Sequence, residues 1–316
     1  MSSSPSAPAS STAVSVPVTR FAPSPTGYLH LGHAYSARFA WAAARASGGR
    51  FLLRIEDIDR TRCRPEFTEA LIDDLRFLGL SWDGEVRVQS AHRAEYADVL
   101  DALQAQALVY PCFCTRAEIA SEIRQAETAP HDLPAPEPVS PSGLPVPQVG
   151  RLYPGTCRRL SRDEADARIA HGQSYALRLD STRALERAQT LASRPLVFYD
   201  RRFGEVPVTL SHVGDVVLGR KEVRASYHVA VTLDDQLQGV TLVTRGEDLF
   251  HATHIHRVLQ TLFGWREPEY AHHPLLTDSH GERLAKRRGS PSLRSLRNEG
   301  RSAAEIWALA GLPPLA

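Results

Sequence analysis

The residues able to do chemistry in this 316-residue chain gather in a few short stretches. The sharpest is Gly27-Tyr28-Leu29-His30-Leu31-Gly32-His33, set between a strand-like run and a helix start. Backbone N–H groups at a helix N-terminus attract anions, and a glycine at position 32 lets a ligand approach the backbone closely. Two imidazoles three residues apart at such a turn, His30 and His33, can donate hydrogen bonds to phosphate oxygens as negative charge builds. An isolated pair of this kind more often consists of one packed and one exposed histidine. Further on, Cys112-Phe113-Cys114 offers two thiolates, and Tyr153-Pro154-Gly155-Thr156-Cys157 adds a third together with a phenol. Zinc prefers four tetrahedral ligands, usually Cys or His, so three cysteines leave one place for Tyr153 or for His131. Four free thiols are the bland alternative, and the isolated Cys63 reads as structural. The net charge is only +1, so any affinity for RNA must come from local clusters. The candidates are Arg158–Arg159, Arg201–Arg202 and the dense Arg283, Lys286, Arg287, Arg288 group, each of which alone is more often a solvated face.

Elements that could position these groups follow from the hydrophobic pattern. Residues 14–21 have strand composition and lead into a loop holding Pro23, Pro25 and Gly27. An Ala-rich helix is expected over about 33–47, stopped by Gly48–Gly49. Residues 51–55 form an apolar strand ahead of Glu56-Asp57-Ile58-Asp59, and helical periodicity returns over 66–78 and 91–108. Strand alternating with helix is the pattern of a parallel α/β sheet. The alternation breaks at Cys112, and short strands with turns follow around 175–179 and 196–210. Strand-like runs resume at 229–233 and 240–244, with helices over 249–263 and within 291–312. The expected domains are a disordered tail (1–17), two halves of an α/β domain (18–111 and 211–282), an inserted subdomain (112–210) carrying a Pro-rich loop (129–147), and a short helical remnant (283–316). No run approaches the roughly 18 apolar residues of a membrane span. The N-terminal tail lacks the basic head and apolar block of a signal peptide, so a cytoplasmic location and no membrane partner are expected. With 42% hydrophobic residues the chain can bury a substantial core.

Several ordered stretches together resemble class I aminoacyl-tRNA synthetases, whose first signature reads His-(Ile/Leu)-Gly-His after a first strand. More narrowly, Arg20-Phe21-Ala22-Pro23-Ser24-Pro25-Thr26-Gly27 with Leu29-His30-Leu31-Gly32-His33 resembles the glutamyl-tRNA synthetase branch. So do Leu53-Arg54-Ile55-Glu56-Asp57-Ile58-Asp59-Arg60-Thr61-Arg62, Asp215-Val216-Val217, Ser226–Val231 through Asp234-Asp235, and Thr244-Arg245-Gly246-Glu247-Asp248-Leu249. The counterpart of the second signature, Lys-Met-Ser-Lys-Ser, is Arg283-Leu284-Ala285-Lys286-Arg287. Its second lysine falls on Lys286, while Arg283 keeps a cation but as a planar fork. The resemblance implies a Rossmann-like parallel sheet interrupted by a zinc-bearing subdomain.

It also implies a site. His30, Gly32, His33 and Lys286 would hold ATP, with His30, His33 and Lys286 stabilising the phosphate charge and Mg²⁺ arriving with the nucleotide. Glutamate would lie among Arg20, Phe21, Ala22, Pro23, Ser24, Glu56, Tyr227 and Arg245, with arginine forks on its carboxylates and Glu56 on its ammonium. Cys112, Cys114, Tyr153 and Cys157 match the family's Cys-x-Cys … Tyr-x₃-Cys set for one structural zinc, and the long gap between Cys114 and Tyr153 costs little extra closure entropy. A full glutamyl-tRNA synthetase would continue into an anticodon-binding domain, whereas only about 30 residues follow Lys286 here. The shortened form resembles the glutamyl-Q tRNA(Asp) synthetases, which activate glutamate without tRNA and esterify it to the queuosine base at the wobble position of tRNA(Asp). That resemblance implies a monomer binding ATP, L-glutamate and the tRNA(Asp) anticodon arm. Two alternatives stand beside it: a truncated glutamyl-tRNA synthetase charging the 3′ end of tRNA(Glu), and a non-catalytic RNA-binding paralogue.

Overall fold

A computed structural model describes residues 16–127, 144, 152–220, 225–276 and 291–315. Strand β1 (Val18–Phe21) feeds a loop and then α1 (Leu31–Arg45). Helix α1 forms because alanines at 34, 37, 40 and 44 give it a small buried face that lies flat on the sheet. At its end Gly48 adopts a φ of +65°, and a Cβ on Gly49 would sit 2.2 Å from the Pro17 carbonyl. Only glycine permits that approach, which lets the Arg50 N–H reach the same carbonyl and starts β2 (Arg50–Ile55) in register beside β1.

The chain continues through α2 (Pro65–Phe77), the two-residue β3 (Arg87–Val88) and α3 (Arg93–Ala105). Next come β4 (Val109–Cys112), α4 (Arg116–Glu127), α5 (Arg162–Ala170), β5 (Ala176–Leu179) and α6 (Ser181–Leu191). A tight hairpin, β6 (Val197–Asp200) with β7 (Gly204–Pro207), precedes β8 (Val217–Arg220), α7 (Tyr227–Leu237) and β9 (Leu242–Gly246). Helix α8 (Ala252–Leu262), β10 (Glu269–His273), α9 (Leu293–Asn298) and α10 (Ala303–Leu309) complete it.

The main sheet is parallel apart from the antiparallel β7 on its edge. One half runs β3-β2-β1 and the other β9-β10-β6-β7. The halves meet where β1 lies beside β9, tied by the Thr241 N–H to the Val18 carbonyl at 3.0 Å and the Val18 N–H to the Thr241 hydroxyl at 2.9 Å. Strand order therefore reverses between β1 and β9, the switch point outside whose carboxyl edge α/β proteins bind ligands. A separate antiparallel sheet, β4-β5-β8, belongs to the insertion.

Three expectations change. The boundary at 210 does not follow the sheets, since β6 joins the main sheet beside β10 and β8 pairs with β5 in the small one. The local hairpin signal of 197–207 hid the non-local parallel pairing. The run 229–233 is helical within α7, not a strand. That helix buries Val229, Ala230, Val231 and Leu233 together with Asp234 and Asp235, so no exposed polar face marked its period. Helices α4, α5 and α6 also occupy stretches where no helix was assigned. The tail 1–15, most of the Pro-rich loop, and 277–290 lie outside the described residues.

The last two helices close one core. Leu293, Leu296, Ile306 and Trp307 are buried with α1 and α2, and the Trp307 indole N–H donates to the Leu78 carbonyl at 3.2 Å. Ser292 bridges His30, and the Leu293 N–H bonds the Leu29 carbonyl at 2.7 Å. Removing the buried indole in Trp307→Ala should cost about 3–5 kcal/mol in urea-unfolding free energy. Trp307→Phe, which keeps most of the volume and loses the hydrogen bond, should cost only ~1–2 kcal/mol. Equal midpoints for all three proteins would show that the terminal helices do not belong to this core.

Candidate active site

A cavity of about 510 Å³ opens at the carboxyl ends of β1 and β9, at the switch point. The end of β1 and its loop supply Arg20, Phe21, Ala22, Pro23 and Ser24; the turn into α1 supplies His30, Gly32 and His33. Glu56 enters from the end of β2, Tyr227 from the first turn of α7, and Arg245 from β9. Every residue expected around glutamate and ATP ahead of position 277 thus lines one space. Lys286, with Arg283 and Arg287, lies outside the described residues, as does His131. A second cavity of about 660 Å³ shares Ser24, Glu56 and Tyr227 and carries Arg62, Arg116 and Arg220.

The two histidines close a reciprocal cap on α1. The His30 Nδ1 accepts from the Gly32 N–H at 3.1 Å, and the His33 Nδ1 accepts from the His30 N–H at 3.3 Å. Burial lowers both from the ordinary imidazole range, His33 to about 3 with His30 adding repulsion, so both are neutral at pH 7. With each Nδ1 occupied as an acceptor, the ring proton of each belongs on Nε2. The turn therefore presents two N–H donors. The ring centroids lie 3.8 Å apart with the planes tilted by 35°, and a Cβ on Gly32 would lie 3.1 Å from His30 Cε1.

Beneath the cavity runs a buried ion network centred on Asp235. Asp235 accepts from Arg20 Nε at 2.9 Å and Nη2 at 3.2 Å, and from Arg54 Nη1 at 2.8 Å. Burial opposes its ionisation, but the two guanidiniums outweigh that and hold it below the usual carboxylate range. Asp234 accepts from Arg87, Gln89 and Tyr96. The Arg20 fork thus points into the protein, with Nη1 also on the Thr244 carbonyl at 3.2 Å. Arg20 reaches the cavity, but the expected bidentate grip on a substrate carboxylate is taken by Asp235. Arg54, a charge inside the apolar run Phe51–Ile55, was the available signal, because a cation fully buried in a central strand needs an anion opposite it.

Glu56 sits at the edge of this network, with Oε1 3.6 Å from Arg54 Nη2 and no hydrogen-bond partner among the described residues. Burial pushes its carboxyl up to about 7, against the pull of Arg54 and Arg20.

Arg245 has the opposite character. Nε donates to His272 Nε2 at 3.1 Å, Nη1 to the Tyr227 hydroxyl at 3.1 Å and to His256 Nδ1 at 3.2 Å, and Nη2 to the Thr253 hydroxyl at 2.6 Å. Burial keeps His272 at about 4 and His256 well below its usual value, so among the described residues the hydrogen-bond partners of this cation are all neutral. One Nη2 proton and the Tyr227 hydroxyl proton stay uncommitted beside the cavity. Thr253, His256 and His272 were not foreseen; they lie in α8 and β10, and only the fold brings them to β9.

In the insertion, the thiols of Cys112, Cys114 and Cys157 lie within 4.8 Å of one another. Cys114 Sγ is 3.4 Å from Cys157 Sγ and 3.5 Å from the Tyr153 hydroxyl. Sulfurs at about 2.3 Å from a tetrahedral zinc stand roughly 3.8 Å apart, so this donor set fits a metal centre. A bound metal would tie β4 to the turn before α5, a structural role remote in kind from the cavity chemistry.

A parallel sheet with a ligand cavity at its switch point, roofed by a His-x-Gly-His cap, defines a class I synthetase catalytic domain. The family model described as tRNA synthetases class I (E and Q), catalytic domain, matches residues 16–308. The chain is 47% identical over 297 residues to a glutamyl-Q tRNA(Asp) synthetase of Rhodobacter capsulatus, spanning 93% of this chain and 100% of that protein. It is 35% identical to a glutamate–tRNA ligase of Aquifex aeolicus over 89% of this chain, but only 54% of the ligase. A glutamate–tRNA ligase crystal structure from Elizabethkingia meningosepticum, in complex with its amino acid, superposes with a TM-score of 0.66 at 25% identity, covering 90% of this chain and 53% of the ligase. The chain belongs to the glutamyl-Q tRNA(Asp) synthetase family and is a synthetase-like ligase.

Elemental analysis of protein purified without chelator should find about one zinc per chain, and Cys114→Ser or Cys157→Ser should lower it severalfold. Zinc far below stoichiometry in the unaltered protein would remove the metal reading. Glu56 yields a pH signature. Its folded-state value lies above the unfolded one, so the native protein binds this proton more tightly, and the associated stability is lost as pH rises from about 4.5 through about 7. Glu56→Gln, which imitates the protonated form, should therefore gain on wild type in urea midpoint across that window when ligand is absent. A difference that stays constant from pH 4.5 to 8 would contradict a raised Glu56.

Proposed function

We propose that this enzyme activates L-glutamate with ATP, without tRNA, and transfers it to the queuosine base at the wobble position of tRNA(Asp). The observation that carries the amino-acid half is the pairing of two opposite needs in one cavity. Among the described residues, Arg245 is a buried cation hydrogen-bonded only to neutral partners, and Glu56 is a buried carboxyl whose Oε1 has no hydrogen-bond partner. A zwitterion answers both, its carboxylate on Arg245 and Tyr227 and its ammonium on Glu56. Arg20, held by Asp235, contributes positive field and a remaining Nη proton to the second carboxylate more than a fork. Ammonium binding would favour the ionised form of Glu56 and draw its pKa down.

For the chemical step, the α-carboxylate attacks the α-phosphorus of ATP, and glutamyl-adenylate and pyrophosphate form. His30 and His33 donate Nε2–H to the phosphate oxygens, and their neutrality means that no counter-charge must be removed as the oxyanion develops. Lys286 is assigned to the same phosphates by its place in the second signature. Mg²⁺ bound through ATP supplies further charge neutralisation. Positioning accounts for the rest, since no covalent enzyme intermediate is required.

The acceptor half rests on the relatives. The chain is 41% to 47% identical to glutamyl-Q tRNA(Asp) synthetases from Rhodobacter capsulatus and Nitratidesulfovibrio vulgaris, against 35% for the Aquifex aeolicus ligase. In this reading the tRNA(Asp) anticodon arm docks over the mouth of the cavity. With glutamate and ATP alone, pyrophosphate exchange should be detectable. Labelled glutamate should then transfer to queuosine-containing tRNA(Asp) and not to queuosine-free tRNA(Asp) or tRNA(Glu). Labelling of the tRNA(Glu) 3′ end instead would make it a truncated glutamyl-tRNA synthetase, and absence of exchange would leave only an RNA-binding role.

A further inference from the structure

Behind Arg245 the structure holds a second buried layer. Asp200, at the end of β6, and His272, in β10, are both fully buried, and the Asp200 Oδ2 lies 2.6 Å from His272 Nδ1. Asp200 is itself fixed: Oδ1 accepts from the N–H groups of Arg202 at 2.8 Å and Phe203 at 3.2 Å, and Oδ2 also faces the His272 N–H at 3.3 Å. These bonds outweigh burial and hold Asp200 below the usual carboxylate range. An ionised carboxylate accepts only, so the Nδ1 of His272 must donate. Since the ring is neutral, its Nε2 then carries a lone pair, aimed at Arg245 Nε–H. The chain Asp200–His272–Arg245 has one consistent set of proton positions.

We propose that Asp200 and His272 are positioning residues for substrate recognition, selecting the histidine tautomer that orients the Arg245 guanidinium toward the carboxylate of the amino acid. The inference rests on the reading above in which Arg245 receives that carboxylate. Asp200 has a fold role through Oδ1, which closes the β6–β7 turn on the Arg202 and Phe203 N–H groups, and a separate one through Oδ2, which fixes the His272 ring. What an apolar pair cannot supply is an acceptor for Arg245 Nε–H at a fixed angle. Among the described residues no carboxylate aims Arg245, so its orientation depends on neutral acceptors, and a neutral imidazole accepts on one nitrogen only.

Asp200→Asn inverts that arrangement. The amide oxygen keeps the Arg202 and Phe203 N–H bonds, which turns the amide NH₂ toward His272. The ring proton then moves to Nε2 and confronts the Arg245 Nε–H, donor against donor. Pyrophosphate exchange measured against glutamate and ATP in turn tests this. Asp200→Asn should raise the glutamate KM by ~10-fold or more while the ATP KM stays within about twofold, and Arg245→Ala should raise the glutamate KM by ~100-fold. If Arg245→Ala leaves the glutamate KM unchanged, the carboxylate reading of Arg245 fails. If Arg245→Ala raises it and a folded Asp200→Asn does not, or raises both KM values alike, the positioning role fails while the pocket stands. Nitrogen-15 NMR of His272 in the unaltered protein gives a test that needs no variant to fold. Nδ1 should carry the proton, and a proton found on Nε2 overturns the proposal.

Discussion

A single carboxylate buried between two arginines organises this molecule. Asp235 receives Arg20 from β1 and Arg54 from β2, so the first helix of the second half-domain is bolted to the two strands of the first. Such charges are tolerable in the interior only as a closed set, because an unmatched member costs several kcal/mol of desolvation. Asp235 is closed by both arginines, while Arg54 keeps Nε 3.7 Å from Asp234 and Nη2 3.6 Å from Glu56, both paired in charge but without hydrogen bonds among the described residues. Glu56, at the cavity edge, is left with one oxygen lacking a hydrogen-bond partner among the described residues, and burial makes it hold a proton more tightly than in water. Rigidity below and unmet demand above arise from the same network.

Neutral histidines do complementary work. His30 and His33 are fixed by backbone N–H groups, while His272 and His256 face Arg245, and burial keeps all four uncharged near pH 7. A charged imidazole beside Arg245 would repel it, whereas a neutral ring with a set tautomer accepts from it. The cysteine cluster stands apart from this electrostatics, bringing the turn around Cys157 to the end of β4.

Much of the site was legible because its residues stand in contiguous stretches at strand ends. Arg20 through Ser24, the His30–His33 turn, Glu56, Tyr227 and Arg245 each sit where a strand or helix begins or stops, and such boundaries leave local marks. What was illegible is what acts across the fold. Asp235 lies in a helix with no polar face to betray it, and its partners are 215 and 181 positions away. His272 and Thr253 touch Arg245 only because β10 lies beside β9 and α8 packs behind them. The hairpin 197–207 read as part of the insertion because its antiparallel pairing is local, whereas its parallel pairing with β10 spans some 70 residues. The Arg20 fork, expected on a substrate carboxylate, lies on Asp235, because no local pattern tells which anion an arginine will face.

The attachment of Ser292 and Leu293 to the histidine turn makes the last two helices a buttress behind that turn. Both are short, six and seven residues, and helices of that length persist only through their packing. Elements of this kind open locally at lower cost than the sheet they lean on. Their hold on the His30–His33 turn therefore depends on the buried Leu293, Ile306 and Trp307 side chains and not on the helices' own hydrogen bonds.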